Sequence, residues 1–211
     1  VPAGRGSQTN MINYTHAIQW LEKRGSEMFK SDFKISEPET EIVKKLLCYF
    51  LKDTSSANYY ALNLNKGILL SGPIGCGKTT LMNLLRFYEQ PLNRFVMKSC
   101  RDISFEFIQN GFEVIHKYSK LSFNALEPRV YCFDDLGTEN NLKYFGNECN
   151  VMAEVLLSRY DLFASKKMIT HLTTNLSASE IESFYGNRVR SRMREQFNLI
   201  AFDSKAQDKR K

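Results

Sequence analysis

Cysteine is sparse and poorly spaced for bridging. Cys48, Cys76, Cys100, Cys132 and Cys149 make an odd count of five, and no two stand as C-x-x-C. That excludes a disulfide framework and a zinc ribbon, and predicts buried, reduced thiols. No apolar run approaches the ~20 residues that span a bilayer, and no secretory h-region is present. The expected address is therefore the cytosol, with no membrane partner. No internal repeat or low-complexity stretch is visible, which argues against a repeat array. Charge of one sign is also limited, with a net +6 over 211 residues. What remains is 43% hydrophobic and 25% charged, ordinary values for a single globular domain with one sizeable core. The opening Val1-Pro2-Ala3-Gly4-Arg5-Gly6-Ser7 reads as a tag scar, so residues 1–10 are set aside from the fold.

Against this background one stretch stands out. Gly72-Pro73-Ile74-Gly75-Cys76-Gly77-Lys78-Thr79 fits G-x-x-x-x-G-K-[ST] at every fixed position. The apolar Gly67-Ile68-Leu69-Leu70-Ser71 before it reads as a strand, and Thr80 to Arg86 after it reads as a helix. Glycines let the backbone close around an anion with its N–H groups turned inward, and the helix N-terminus adds partial positive charge there. The pattern implies a bound nucleoside triphosphate. Lys78 would reach the β- and γ-phosphates, the Thr79 hydroxyl would bind Mg²⁺, and Thr80 would follow in the first helical turn. Cys76 fills a variable position of the loop and is not expected to act as a catalytic thiol.

The rest of the chain alternates helix and strand. A helix is predicted over residues 13–24. Ser36-Glu37-Pro38-Glu39 has the spacing of a capping box with an early proline and opens a helix through Leu51. Strands follow at Arg94–Lys98, Val130–Phe133, Met168–Thr173 and Asn198–Phe202. Helices are predicted at Ile103–Tyr118, Val151–Phe163 and Ala178–Phe184, and a basic helix over 187–195. Strands separated by helices predict an α/β fold, a parallel sheet with helices on both faces.

Three further signals carry chemistry. Val130-Tyr131-Cys132-Phe133-Asp134-Asp135 is an apolar strand ending in two acids, at the sheet edge where such folds bind ligands. Asp134 would hold Mg²⁺, and Asp135 would orient or deprotonate the attacking water. Asp-Asp-Leu-Gly is also plain turn chemistry. Thr173-Thr174-Asn175 closes another strand, and Asn175 would bond the water or the γ-phosphate, or simply cap the turn. Arg188 and Arg192 share one helical face, as do Arg190 and Arg194. Those ridges suit nucleic-acid phosphate, a neighbouring subunit's ATP site, or mere solvent, and with the basic tail over 204–211 (Lys205, Lys209, Arg210, Lys211) they suit a polyanion partner such as DNA.

Order and spacing of these four signals resemble the AAA+ ATPases of the DnaC/IstB type, helicase loaders and transposition helpers. The resemblance spans residues 37–203, with Gly72–Thr79 as Walker A and Phe133–Gly137 as Walker B. Asn175 falls at the sensor 1 position, and Tyr185–Glu195 resembles box VII. It implies a P-loop ATPase domain over 36–203 without a separate helical lid, with ATP and Mg²⁺ as cofactors. Arg192 would be the arginine finger, with Arg188 as a second nucleotide-binding arginine. The implied partners are DNA, a replicative helicase or transposase, and further copies joined head to tail.

Two departures qualify it: aspartate stands at 135 where many relatives have glutamate, and only a short helical extension, 11–35, precedes the core. Its Trp20, Phe29 and Phe33 would contact a partner or pack on the core. Small-molecule kinases share the loop and sheet and remain a rival, as does a switch that binds ATP and hydrolyses it slowly or never. A GTPase is excluded because Asn65-Lys66 is followed by Gly67-Ile68 and lacks the guanine-reading aspartate. An ABC ATPase is excluded by the absence of an LSGGQ-like stretch.

Overall fold

Alternation of side chains along each strand decides how the layers form. In β1 (Gly67–Ser71), Ile68 and Leu70 face one side and Leu69 the other. In β5 (Tyr131–Leu136), Cys132 opposes Tyr131 and Phe133 in the same way. Both faces are apolar, so both must be covered, and a parallel sheet between two helical layers satisfies that requirement. The computed structural model describes residues 12–91, 94–139, 142–144 and 147–209. The expected tag scar and the last two basic residues, Arg210 and Lys211, lie outside them.

Among the described residues, α1 (Tyr14–Phe29), α2 (Glu37–Phe50) and α3 (Thr54–Ala57) precede β1, and α4 (Lys78–Leu85) follows it. Then come β2 (Val96–Ser99), α5 (Cys100–Asn110), α6 (Glu113–Tyr118), a small hairpin of β3 (Phe123–Asn124) and β4 (Glu127–Pro128), and β5. A second hairpin, β6 (Leu142–Tyr144) with β7 (Asn147–Cys149), leads to α7 (Val151–Lys166), β8 (Thr170–Thr174), α8 (Ala178–Gln196) and β9 (Phe197–Ala201). The main sheet is all parallel in the order β2-β5-β8-β1-β9. One core lies between it and α5, α6, α7 and α8, the other between it and α1, α2 and α4.

The expected α/β three-layer fold is therefore present, with shifts that have physical causes. The helix expected over residues 103–118 is two helices, α5 and α6, because Gly111 at φ +60° ends the first. The first helix runs five residues beyond residue 24, to Phe29, and stops at Lys30 in the left-handed region. The break between Phe184 and residue 187 is real: Gly186 (φ 84°, ψ 161°) kinks α8 there. Neither hairpin was foreseen.

β8 occupies the middle of the sheet although four of its five residues are polar. Each polar side chain has a partner. His171 Nδ1 accepts the Ile68 N–H at 3.1 Å, and Thr174 Oγ1 donates to the Leu136 carbonyl at 2.7 Å. Thr170 Oγ1 accepts from Arg159 Nε at 2.7 Å. Arg159 is itself fully buried, donating to the carbonyls of Tyr118, Arg129 and Ile169 and lying over the rings of Tyr131 and Phe133. This arginine pins α7 to β5 and β8 through carbonyl dipoles and aromatic faces.

Candidate nucleotide-binding site

At the C-terminal edge of the sheet the chain leaves β1 into the glycine loop. Gly75 (φ 81°) and Gly77 (φ 94°) adopt left-handed backbone, Gly77 as the N-cap of α4. These turns bring the loop back on itself so that Lys78 and Thr79 start the helix directly beneath it. Lys78 is almost wholly buried. Its ammonium donates to the carbonyls of Gly72 (2.8 Å) and Pro73 (2.9 Å). Cys76 packs under the loop with Sγ 3.9 Å from Lys78 Nζ; burial pushes its thiol above the ordinary value, and the nearby ammonium offsets this in part.

The two acids of β5 diverge. Strand register shifts between Phe133 and Leu136, and Asp135 takes the left-handed region at φ 56°, which a non-glycine residue adopts at a cost of about 1 kcal/mol. Asp134 consequently faces α4, where the Thr79 hydroxyl donates to its carboxylate at 3.0 Å. Asp135 turns into the cavity. Thr173 of β8 joins the two: its hydroxyl donates to Asp134 Oδ1 at 2.6 Å and accepts the Asp135 N–H at 2.9 Å. Burial raises the Asp134 pKa, the neighbouring Asp135 charge adds to this, and the Thr173 and Thr79 bonds pull the other way.

Hard oxygen donors from Thr79 and Asp134, side by side, suit Mg²⁺, which prefers oxygen and keeps several waters. No group of three or more His, Cys, Asp or Glu side chains forms a metal cluster among the described residues. A two-residue site completed by phosphate and water is what this donor set can offer.

The cavity measures about 340 Å³ and is lined by Asp135, Thr138 and Asn175 from the strand ends, Lys78, Thr79 and Thr80 from α4, and Phe29, Ser31 and Phe33 from around the end of α1. Ile74, Gly75 and Gly77 of the glycine loop also line it, as does Lys209. Of the residues expected from the sequence, Lys78, Thr79, Thr80, Asp135 and Asn175 line it together. Asp134 stands behind Thr79, and Cys76 lies below. Gly72 and Pro73 present their carbonyls to Lys78.

Arg188 and Arg192 are not brought to this chain's own cavity. Arg188 is exposed on the second half of α8, and Arg192 lies over the Tyr160 ring at 4.4 Å, donating to its hydroxyl at 3.1 Å. Arg190 is paired with Glu182. Trp20 leans on Tyr88 at 4.9 Å, while Phe29 and Phe33 turn to the cavity.

Sequence reasoning gave no role to Thr173 or Thr138, and counted Lys209 only within a basic tail suited to a polyanion. Thr173 had a usable signal, since a buried threonine at the end of a central strand faces the neighbouring strand end. Lys209 had none.

No protein-family model matches the sequence, and no curated protein matches it either. Solved structures do. The DnaC helicase loader superposes with a TM-score of 0.56 at 20% identity, over 80% of this chain and 92% of that one. DnaI gives 0.56 at 14% identity, over 83% and 90%. DnaA from Aquifex aeolicus, solved with AMPPCP bound, gives 0.53 at 16% identity, over 82% of this chain and 49% of its own. The chain thus shares the fold of these three structures, and at such identities the likeness concerns the fold alone.

Proposed function

We propose that this chain is a Mg²⁺-dependent ATPase of the AAA+ helicase-loader type, acting on DNA or on a DNA-bound partner. The observation that carries the reading is the single hydrogen-bonded unit Thr79–Asp134–Thr173–Asp135 at the mouth of a glycine loop. It ties the metal side of the site to the water side, an arrangement that only a triphosphate with its metal would use in full. Mg²⁺, when bound, would neutralise charge developing between the β- and γ-phosphates. The loop N–H groups and Lys78 hold the phosphates, with Lys78 exchanging its two carbonyl partners for phosphate oxygen. Asp135 accepts a proton from, or orients, the attacking water, and Asn175 steadies it from the end of the neighbouring parallel strand.

Arg192 completes the site of a neighbouring protomer. Its distance from its own cavity supports a role in trans, and a head-to-tail contact of this kind builds a ring or filament. The likeness to the DnaC helicase loader supports a helicase as the DNA-bound partner. Aspartate at 135 reaches one methylene less far than glutamate, so turnover is expected to be slow.

Turnover and particle mass, measured with and without single-stranded and duplex DNA, test this reading. DNA-stimulated hydrolysis by ATP-dependent assemblies is expected, with both lost in Lys78→Ala. A monomer that ignores DNA and hydrolyses ATP only in the presence of a small-molecule acceptor overturns it.

A further inference from the structure

We propose that Lys209, carried across the phosphate loop by the segment that follows β9, is a nucleotide-binding residue that closes the base-and-ribose end of the cavity. This rests on the cavity being the nucleotide site. The segment is anchored at several points. Phe202 and Ala206 pack on the core shared with α1, α2 and α4, and Ala206 N–H donates to the Asp203 carbonyl at 3.0 Å. The chain then crosses the glycine loop, where Lys209 N–H donates to the Gly75 carbonyl at 3.1 Å.

The crossing is close at Gly75, which occupies a position that G-x-x-x-x-G-K-[ST] leaves open: a Cβ there would come within 1.9 Å of the Asp208 carboxylate, so a side chain at 75 would have to displace that carboxylate. Asp208 lies against the loop at Gly75 and is not among the residues lining the cavity.

Beyond the crossing, the Lys209 ammonium reaches the N-terminal wall. It donates to Glu39 Oε2 at 2.6 Å and to the Lys34 carbonyl at 3.5 Å, and lies 5.7 Å from the Phe33 ring centre. Glu39 is nearly buried and accepts the Ser36 N–H at 2.9 Å with the same oxygen, so the anchor is held by the first turn of α2. The wall itself is fixed from α1. Phe33 N–H donates to Ser26 Oγ at 3.1 Å, Ile35 N–H to Glu22 Oε1 at 3.0 Å, and the Phe33 ring fills the space over Gly25.

Two features make the segment a clamp and exclude a plug. With Lys209 in place the cavity still measures about 340 Å³, within the size of small-molecule sites. Its lining also combines two chemistries: Lys78, Thr79 and Asp135 on α4 and β5, and two phenylalanines and a serine hydroxyl on the stretch around the end of α1. The first suits phosphates and metal, and the second suits an aromatic base and sugar hydroxyls. An ammonium has three donors, two of which are engaged on Glu39 and Lys34, leaving one for the ligand.

The test is equilibrium binding of ATP and of inorganic triphosphate, each with Mg²⁺, to the full chain carrying Lys209→Ala, Lys209→Arg or Lys78→Ala. Lys209→Ala should weaken ATP about tenfold, the scale of one charge-assisted contact, and leave triphosphate within twofold. Lys209→Arg should restore most of the affinity, and in turnover the loss should fall on KM. ATP should also slow tryptic cleavage after Lys205 and Lys209. Unchanged ATP affinity in Lys209→Ala overturns the inference, as does tighter binding, which would make the segment an obstruction. An equal loss for ATP and triphosphate overturns it too, by moving Lys209 to the phosphate end. Failure of the wild type to bind ATP at all, matching Lys78→Ala, is the distinct result that removes the nucleotide reading itself.

Discussion

Thr173→Val removes one hydroxyl and keeps the shape, so its effect can be worked out from two bonds. The Asp135 N–H loses its acceptor at 2.9 Å; an amide left unpaired away from water costs about 1–3 kcal/mol. Asp134 loses its shortest donor, at 2.6 Å, a bond to a charged group worth about 1.5–3 kcal/mol. The site opens to a cavity, and water reaching the mouth recovers part of each. Destabilisation of about 3 kcal/mol is therefore expected, which for a chain of this size lowers Tm by roughly 6–12 °C. Loss of that donor also raises the Asp134 pKa further, because the bond is one of those holding it down. Its metal-binding form is then scarcer on the acid side, and the acid limb of Mg²⁺-dependent turnover moves to higher pH. Thr173→Ser keeps the hydroxyl and should lose only about 1 kcal/mol. Urea unfolding of both variants, with unchanged m-values, gives the numbers. A Thr173→Val loss no greater than that of Thr173→Ser would refute the linking role of this hydroxyl.

Other expectations follow from neighbouring features. Asp135→Gly relieves a left-handed aspartate and should leave stability unchanged or raised by about 1 kcal/mol, while turnover drops about 10²-fold or more; equal turnover in a phosphate-release assay would remove Asp135 from the mechanism. Arg192→Ala should bind ATP as the wild type does and lose assembly-linked hydrolysis, about 10³-fold if the finger acts in trans; sedimentation with a turnover assay decides. His171 is buried against Tyr49, Phe50 and Phe95, and burial, with Lys52 and Arg159 adding, pushes its pKa down to about 3. A histidine depressed in the folded state stabilises it above the unfolded pKa, and this is lost as pH falls. Between pH 7.5 and 5.5 that amounts to about 1.4 kcal/mol. Urea unfolding at both pH values should show this loss in the wild type and its absence in His171→Asn; parallel losses would point to other groups.

How far the sequence could be read depended on the range of the interactions. The glycine loop, the acids of β5 and the capped start of α2 are local patterns, and their geometry follows from neighbours in the chain. Gly186 was legible for the same reason, as a helix break written in one residue. Arg159 was not: within Leu157-Ser158-Arg159-Tyr160 it reads as a solvent-facing residue of an amphipathic helix. Its partners on Tyr118, Arg129 and Ile169 come from three other segments. Thr173 was seen as strand-end polarity, but its task depends on the register of β5 against β8. The path of the chain after β9 was illegible, because only the fold shows that Lys209 meets Gly75 and Glu39. Phe29 and Phe33 stood out as aromatic, yet their place in the cavity wall required α1 to end at Lys30 and the chain to turn back.

All five cysteines are buried, and burial pushes every one of their thiols above its ordinary value. Since the thiolate is the reactive form, an alkylating reagent finds almost nothing to attack while the chain is folded. Each thiol becomes visible only when its own surroundings open, and those surroundings differ in stability. Cys132 lies mid-strand in β5 and is released when the sheet comes apart. Cys76 lies beneath the glycine loop and is released when the loop alone lifts. The ratio of their labelling rates measures how often the loop opens without the sheet, and a ligand that settles on the loop should slow both thiols, because opening of the sheet also destroys its site.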